Sequence, residues 1–141
     1  MLPQTIPSRK QIEALQEAMI PLACEQPEPN HFFAPGMYLR ELTVPKDMLI
    51  VGKIHRHAHF LAVLKGRALI LSEHGNTEVT AGHISISQPN TKRVVLALED
   101  TQFITVHHNP EDIEDLEIIE AQHMIPESLS IENKETLKVQ S

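Results

Sequence analysis

Three histidines, His55, His57 and His59, recur at every second position directly ahead of the apolar segment Phe60-Leu61-Ala62-Val63-Leu64. Alternate side chains of an extended backbone share a face, so this spacing predicts three imidazoles side by side on one surface. Neutral imidazole ligates transition metals and transfers protons near neutral pH. A metal needs several converging ligands, and His107 on a later predicted strand supplies a fourth candidate, its neighbour His108 then facing the other way. An all-imidazole set suits Zn, Fe, Ni or Cu and disfavours Mg or Ca. As catalytic groups, His55 and His59 would act in general acid–base chemistry or beside a metal-activated water.

The elements that position these residues are mostly short strands. Residues 8–20 read as a helix capped by Ser8, with Ile12, Leu15, Met19 and Ile20 on its inner side and Lys10, Glu13, Gln16 and Glu17 outside. Pro21 ends it, and the proline-bearing stretch 26–30 is a linker. From His31 the pattern changes to about eight short strands broken by turn residues, among them Lys65-Gly66, Glu73-His74-Gly75-Asn76, Ala81-Gly82 and Gln88-Pro89-Asn90. No helical period interrupts them, and this predicts a mainly β, antiparallel sandwich or barrel. After Pro110 the period becomes helical again through Ile113, Leu116 and Ile119, with Glu111, Asp112, Glu114 and Asp115 favouring the helix N-terminus. The organisation predicted is an N-terminal helix and linker (1–30), a barrel (31–109), an acidic helix (110–125) and a polar tail (126–141). Apolar residues spaced by two in the tail would suit an edge strand, on this barrel or on a neighbouring subunit.

A chain of 141 residues with a formal charge of −7 is sized for one domain and lacks the basic balance of a general nucleic-acid binder. The single cysteine, Cys24, permits no internal disulfide, fits a reducing compartment and reads as a small buried residue. Residues 2–7 are broken by prolines and form no signal-peptide core, and no apolar run spans a membrane. Gly-rich phosphate loops, GxSxG and CxxC are absent from the sequence.

The central segment resembles a cupin, a small jelly-roll barrel. Gly52 opens the first motif, His55-Arg56-His57 supplies the HxH pair, and Val63-Leu64-Lys65-Gly66 is similar to the closing VLEG. The second motif is matched loosely by Gly82-His83 and Pro89-Asn90-Thr91-Lys92-Arg93. Counted back from Gly66, His59 takes the place of the motif glutamate and His55 that of its second histidine. Asn90 replaces a glycine and Arg93 a histidine, so the three-His, one-Glu metal set is not intact. Residues 31–120 further resemble small cupin-like proteins of tailed bacteriophages, through His31-Phe32-Phe33-Ala34-Pro35-Gly36-Met37-Tyr38-Leu39-Arg40-Glu41, the GKIH…H segment, Pro89 to Arg93, and Ala97 to His107. This alignment ranks His55, His59 and His107 ahead of His57 as ligands.

The resemblance implies a cupin-type antiparallel jelly-roll barrel with a helix at each end, a homodimer, and a cytoplasmic setting in an infected bacterial host. It also makes Arg93 notable, since a guanidinium standing where cupins place a ligand histidine grips a phosphate or carboxylate. With Arg93, Lys53 and Arg40 around one pocket, and Tyr38 or Phe32 beside it, the expected ligand is a small anion, phosphorylated or nucleotide-like. The functions this leaves open are capture or degradation of a host defence signal, a metal-dependent isomerase or dioxygenase on a sugar or small metabolite, and a filled structural barrel. His31, His74, His83 and His123 fall in predicted turns or helix ends and read as incidental.

Overall fold

The last strand displays the alternation that builds the whole domain. Along Thr101–His108, residues Thr101, Phe103, Thr105 and His107 are buried, while the side chains between them are partly open to solvent. Nine strands of this kind form two antiparallel sheets in a computed structural model that describes residues 6–19 and 27–125. In chain order they are β1 (Asn30–Ala34), β2 (Met37–Val44), β3 (Leu49–Val51), β4 (His59–Lys65), β5 (Arg67–Ser72), β6 (Gly75–Thr80), β7 (Ile84–Ser87), β8 (Arg93–Ala97) and β9 (Thr101–His108). The larger sheet has the order β1-β2-β9-β4-β7 and the smaller one β3-β8-β5-β6. Short connections carry the chain back and forth between the two sheets, which gives the antiparallel barrel expected from the turn spacing and the jelly roll that the cupin resemblance implied. The strand at Asn30–Ala34 begins inside the predicted linker.

The core lies between the sheets. Leu42, Val44, Leu61, Val63 and Phe103 from one sheet meet Ile50, Ala68, Val79 and Ala97 from the other. Each large apolar side chain so buried contributes about 1.5–3 kcal/mol relative to exposure. Gly66 closes the turn between β4 and β5 at a φ of 91°, and a Cβ there would fall 2.2 Å from the Asp100 carbonyl oxygen. Only glycine meets both demands at this position.

Helix α1 (Arg9–Met19) starts in a reciprocal cap. Ser8 Oγ accepts from the Gln11 N–H at 3.2 Å, and the Ser8 N–H donates to Gln11 Oε1 at 2.9 Å. Ile12 packs on Val51 and Val94, so α1 covers the outer face of the smaller sheet. The inner side differs from the predicted one: Gln16 is buried with Ile12, one turn earlier, and Leu15 is exposed. Arg9 fixes this rotation by gripping Glu73 at 2.5 Å and the Asn90 carbonyl at 2.8 Å. The expectations for Ile20, Pro21, Cys24 and the 126–141 tail lie outside the described residues, as does the side chain of Met19.

Helix α2 (Leu116–His123) is shorter than the predicted acidic helix. Asp115 caps it by accepting from the N–H groups of Glu117 and Ile118. Residues 110–114 instead form a loop, which Asn109 pins through two hydrogen bonds with the Ile113 backbone. Among the described residues, no helix is long and apolar enough to cross a membrane.

Candidate metal centre

The alternation at His55-Arg56-His57-Ala58-His59 does not survive folding as one strand. Only His59 belongs to β4; Arg56 and His57 lie in a bend, and His55 makes an isolated bridge to Met124. The bend turns His57 out to solvent and folds His55 back over His59. Three backbone hydrogen bonds hold this geometry. Asn90 N–H donates to the His55 carbonyl at 2.9 Å, Arg56 N–H to the His123 carbonyl at 2.7 Å, and Ile125 N–H to the Ile54 carbonyl at 2.8 Å. Asn90 sits at a φ of 59°, a left-handed conformation that asparagine tolerates better than most residues. Its substitution for the motif glycine therefore keeps the turn.

His55, His59 and His107 converge. Their candidate ligand nitrogens all lie within 4.8 Å of one another, and all three residues are buried. Ring centroids are 4.3 Å apart for His55 and His59, 4.6 Å for His59 and His107, and 5.5 Å for His55 and His107. His59 Nδ1 faces the His57 carbonyl at 3.4 Å, and His107 Nε2 meets Thr105 Oγ1 at 2.8 Å. Outer contacts of this kind orient ligating imidazoles. His59 Nε2 is buried and has no hydrogen-bond partner.

Burial keeps all three rings neutral. It pushes His55 down to about 2, His107 to about 3 and His59 to about 4, assisted by the neighbouring histidines and by Arg93. Neutral imidazoles are what a divalent transition metal requires, and Zn, Fe, Ni and Cu all suit an all-nitrogen set. A buried nitrogen lacking a partner costs about 1–3 kcal/mol, a penalty that ligation removes. The residues present fit a metal.

One layer further into the barrel stand two arginines. Arg40 and Arg93 line a cavity of about 20 Å³ together with Thr105 and an apolar wall that includes Leu61, Val95 and Phe103. That is room for about one water. Desolvation lowers Arg93 to about 10 and also lowers Arg40, against which Tyr38 and Glu120 act. Both guanidiniums remain charged at neutral pH. Of the other expected ligand contacts, Lys53 is paired with Glu120 of α2, and Tyr38 is buried, bonded to His31 Nδ1 at 2.6 Å and stacked on Phe33 and His107. Phe32 points outward and is exposed.

His123 is the residue the sequence reading passed over. It is buried at the end of α2, with its ring 5.9 Å from that of His107 and 5.8 Å from that of His57. Burial and His57 lower its pKa. Its spacing of four from Ile119, the other buried residue of α2, is the signal that places it inward. Helix α2 thus lies over the histidine end of the barrel.

No protein-family model and no curated protein sequence matches this chain. Solved structures do. A double-stranded β-helix protein from Klebsiella pneumoniae aligns with a TM-score of 0.54 at 17% identity, covering 64% of this chain and 84% of that one. A cupin-2 domain protein from Shewanella frigidimarina gives 0.51 at 12% identity over 66% and 91% of the two chains. Ectoine synthase from P. lautus gives 0.55 at 13% identity over 74% and 80%. The fold is the cupin barrel. At these identities the likeness extends to the fold alone, and the histidines sit at one end of that barrel.

Proposed function

We propose that this cupin barrel holds a divalent transition metal on His55, His59 and His107, and that the metal and the paired arginines together bind a small anion. The observation that carries the reading is His59 Nε2, buried without a partner inside a cluster of three neutral imidazoles. A bound dication beside Arg40 and Arg93 leaves an excess of positive charge in a low-dielectric interior, which an anionic ligand offsets. A carboxylate or phosphate group matches both the open metal position and a guanidinium fork. The small volume next to the arginines favours a compact anionic group over an extended one.

The low pKa values of His55, His59 and His107 support ligation over general acid–base work, since an efficient proton-transfer group titrates near the working pH. When bound, the metal would supply Lewis-acid polarisation of the anion, and this chain's residues would hold and orient it. The filled apolar interior supports the alternative of a structural barrel, whose histidines only pack. The phage resemblance is what favours a host metabolite or nucleotide-derived signal as the anion.

Metal analysis of protein purified without a histidine tag separates these readings. One equivalent of Zn, Fe, Ni or Cu that disappears in His59→Ala is the expected result. Less than a tenth of an equivalent, with no uptake on adding metal, would sink the proposal in favour of the structural barrel.

A further inference from the structure

Thr105 touches both halves of the site. Its hydroxyl lies 2.8 Å from Nε2 of His107, two residues further along β9. The same side chain lines the cavity of Arg40 and Arg93, and the strand register sets it directly opposite Arg40 of β2. Cross-strand partners of this kind share one face of a sheet. Thr105 is 2% exposed, so its hydroxyl depends on partners inside the barrel. Among the described residues, its hydrogen-bond partner is Nε2 of His107. Buried donors are almost always satisfied, and the hydroxyl proton swings freely about the Cβ–Oγ bond. In the metal-free protein the hydroxyl therefore donates to Nε2, and the neutral His107 ring carries its own proton on Nδ1.

Ligation ends that arrangement whichever nitrogen of His107 is used. A dication on Nε2 takes the lone pair to which Thr105 donates. A dication on Nδ1 leaves a neutral ring with its proton on Nε2, which then donates to Thr105. In both cases Thr105 must place its proton elsewhere, and the arginine cavity is the space beside it. We infer that Thr105 couples metal to anion: metal on His107 turns its hydroxyl toward the cavity, where it joins Arg40 and Arg93 as a third donor to an anion oxygen. The inference rests on the metal-and-anion reading above and names the residue that links the two ligands. A hydrogen bond to a charged oxygen raises affinity by about tenfold to a hundredfold. By linkage, an anion that gains this bond only in the loaded protein tightens metal binding by the same factor. That factor comes on top of the attraction between the charges.

Zinc affinity of the full-length protein at buffered free zinc, with and without saturating inorganic phosphate, tests this. Phosphate should tighten zinc binding to the wild type. In Thr105→Val, which exchanges the hydroxyl for a methyl group, the tightening should shrink by about tenfold or more. Thr105→Ser, which keeps the hydroxyl, should retain the wild-type factor. A role confined to packing would change zinc affinity equally with and without phosphate, and would leave that factor unmoved. Far-UV circular dichroism establishes that each variant is folded. An unchanged factor in Thr105→Val would overturn the inference and leave the metal-and-anion reading standing, as would loss of the factor in Thr105→Ser. A wild type that takes up no zinc, or whose zinc affinity ignores phosphate, would overturn both.

Discussion

His59 and His55 stand with their ring centroids 4.3 Å apart and tilted by 41°, and His59 keeps a buried nitrogen that bonds to nothing. In the metal-free protein this arrangement is a cost. Replacing His59 by leucine, of similar volume, removes the orphaned nitrogen and should stabilise the metal-free protein by about 1 kcal/mol. The same substitution should abolish metal uptake. Conversely, metal at a hundredfold excess over its dissociation constant should stabilise wild type by ~2.7 kcal/mol, raising Tm by roughly 10 °C. Thermal unfolding of both proteins with and without metal checks the crossover; a destabilised, metal-replete His59→Leu would contradict it.

The pH dependence has a definite sign. Folding lowers the pKa of His55, His59 and His107 from 6.5 to about 2, 4 and 3. The unfolded chain therefore binds more protons between those values and 6.5, so stability is intact above pH 6.5 and falls as the pH drops below it. With three such groups the slope reaches at most ~4 kcal/mol per pH unit. Metal affinity should fall in the same direction, because protons compete for the same lone pairs. Urea unfolding at pH 7.5, 6.5 and 5.5 measures the slope, and a flat profile would contradict the burial of the cluster.

Arg93 and Arg40 should separate ligand binding from metal binding. Arg93→Met removes a desolvated charge and keeps most of the side-chain volume, a change that is often neutral or stabilising in a buried site. Metal content should be retained, while affinity for phosphate or a small carboxylate falls by about tenfold to a hundredfold, the loss of a charge-assisted hydrogen bond of ~1.5–3 kcal/mol. Calorimetric titration of the metal-loaded protein with such anions reads this directly.

Asn90 tests how much the second motif tolerates. Its φ of 59° and its N–H bond to the His55 carbonyl couple a surface turn to His55. Asn90→Gly should leave stability and metal binding nearly unchanged. Asn90→Ala should cost about 1–2 kcal/mol, the penalty of a left-handed conformation, and should weaken metal binding through His55. Equal behaviour of the two variants would show that the turn does not position the ligand.

The barrel was legible because period-two alternation and turn residues encode it locally, as in Ile84-Ser85-Ile86-Ser87 and around Gly66. The same rule allowed only one of His107 and His108 to face inward, and the family resemblance, not the alternation, chose His107. The site was only partly legible, because His55 and His59 meet through a bend rather than along a strand face. That bend is held by Asn90 and by the backbone of residues 123–125, contacts made across long sequence separations. The orientation of α1 was misread for a similar reason: Arg9 reaches Glu73, and this tertiary ion pair overrides the apolar count that favoured Leu15 over Gln16. His123 was hidden because a histidine at a helix end has no meaning until the helix is known to lie over the barrel.

That placement of α2 leads to a prediction about exchange. His55, His59 and His107 are each about 5% exposed or less, so a metal or anion reaches them only when a covering element moves, and α2, whose His123 ring lies 5.9 Å from that of His107, is the element to test. Besides its backbone bonds and the buried His123, an ion pair and an isoleucine fasten the helix. The Lys53–Glu120 ion pair is partly exposed, at 27% and 50%, and such pairs contribute about 0.2–1 kcal/mol. Ile119 is 4% exposed, and truncating a buried isoleucine to alanine costs about 2–5 kcal/mol. Packing should therefore dominate the opening equilibrium. Glu120→Gln is expected to speed removal of bound metal by a chelator about twofold, and Ile119→Ala by more than about twentyfold, provided the rate is governed by opening. Stopped-flow transfer of metal to a chromogenic chelator, at chelator concentrations where the rate has become independent of chelator, makes the comparison. If the two variants released metal at the wild-type rate, access would run past another part of the barrel and α2 would be a fixed wall.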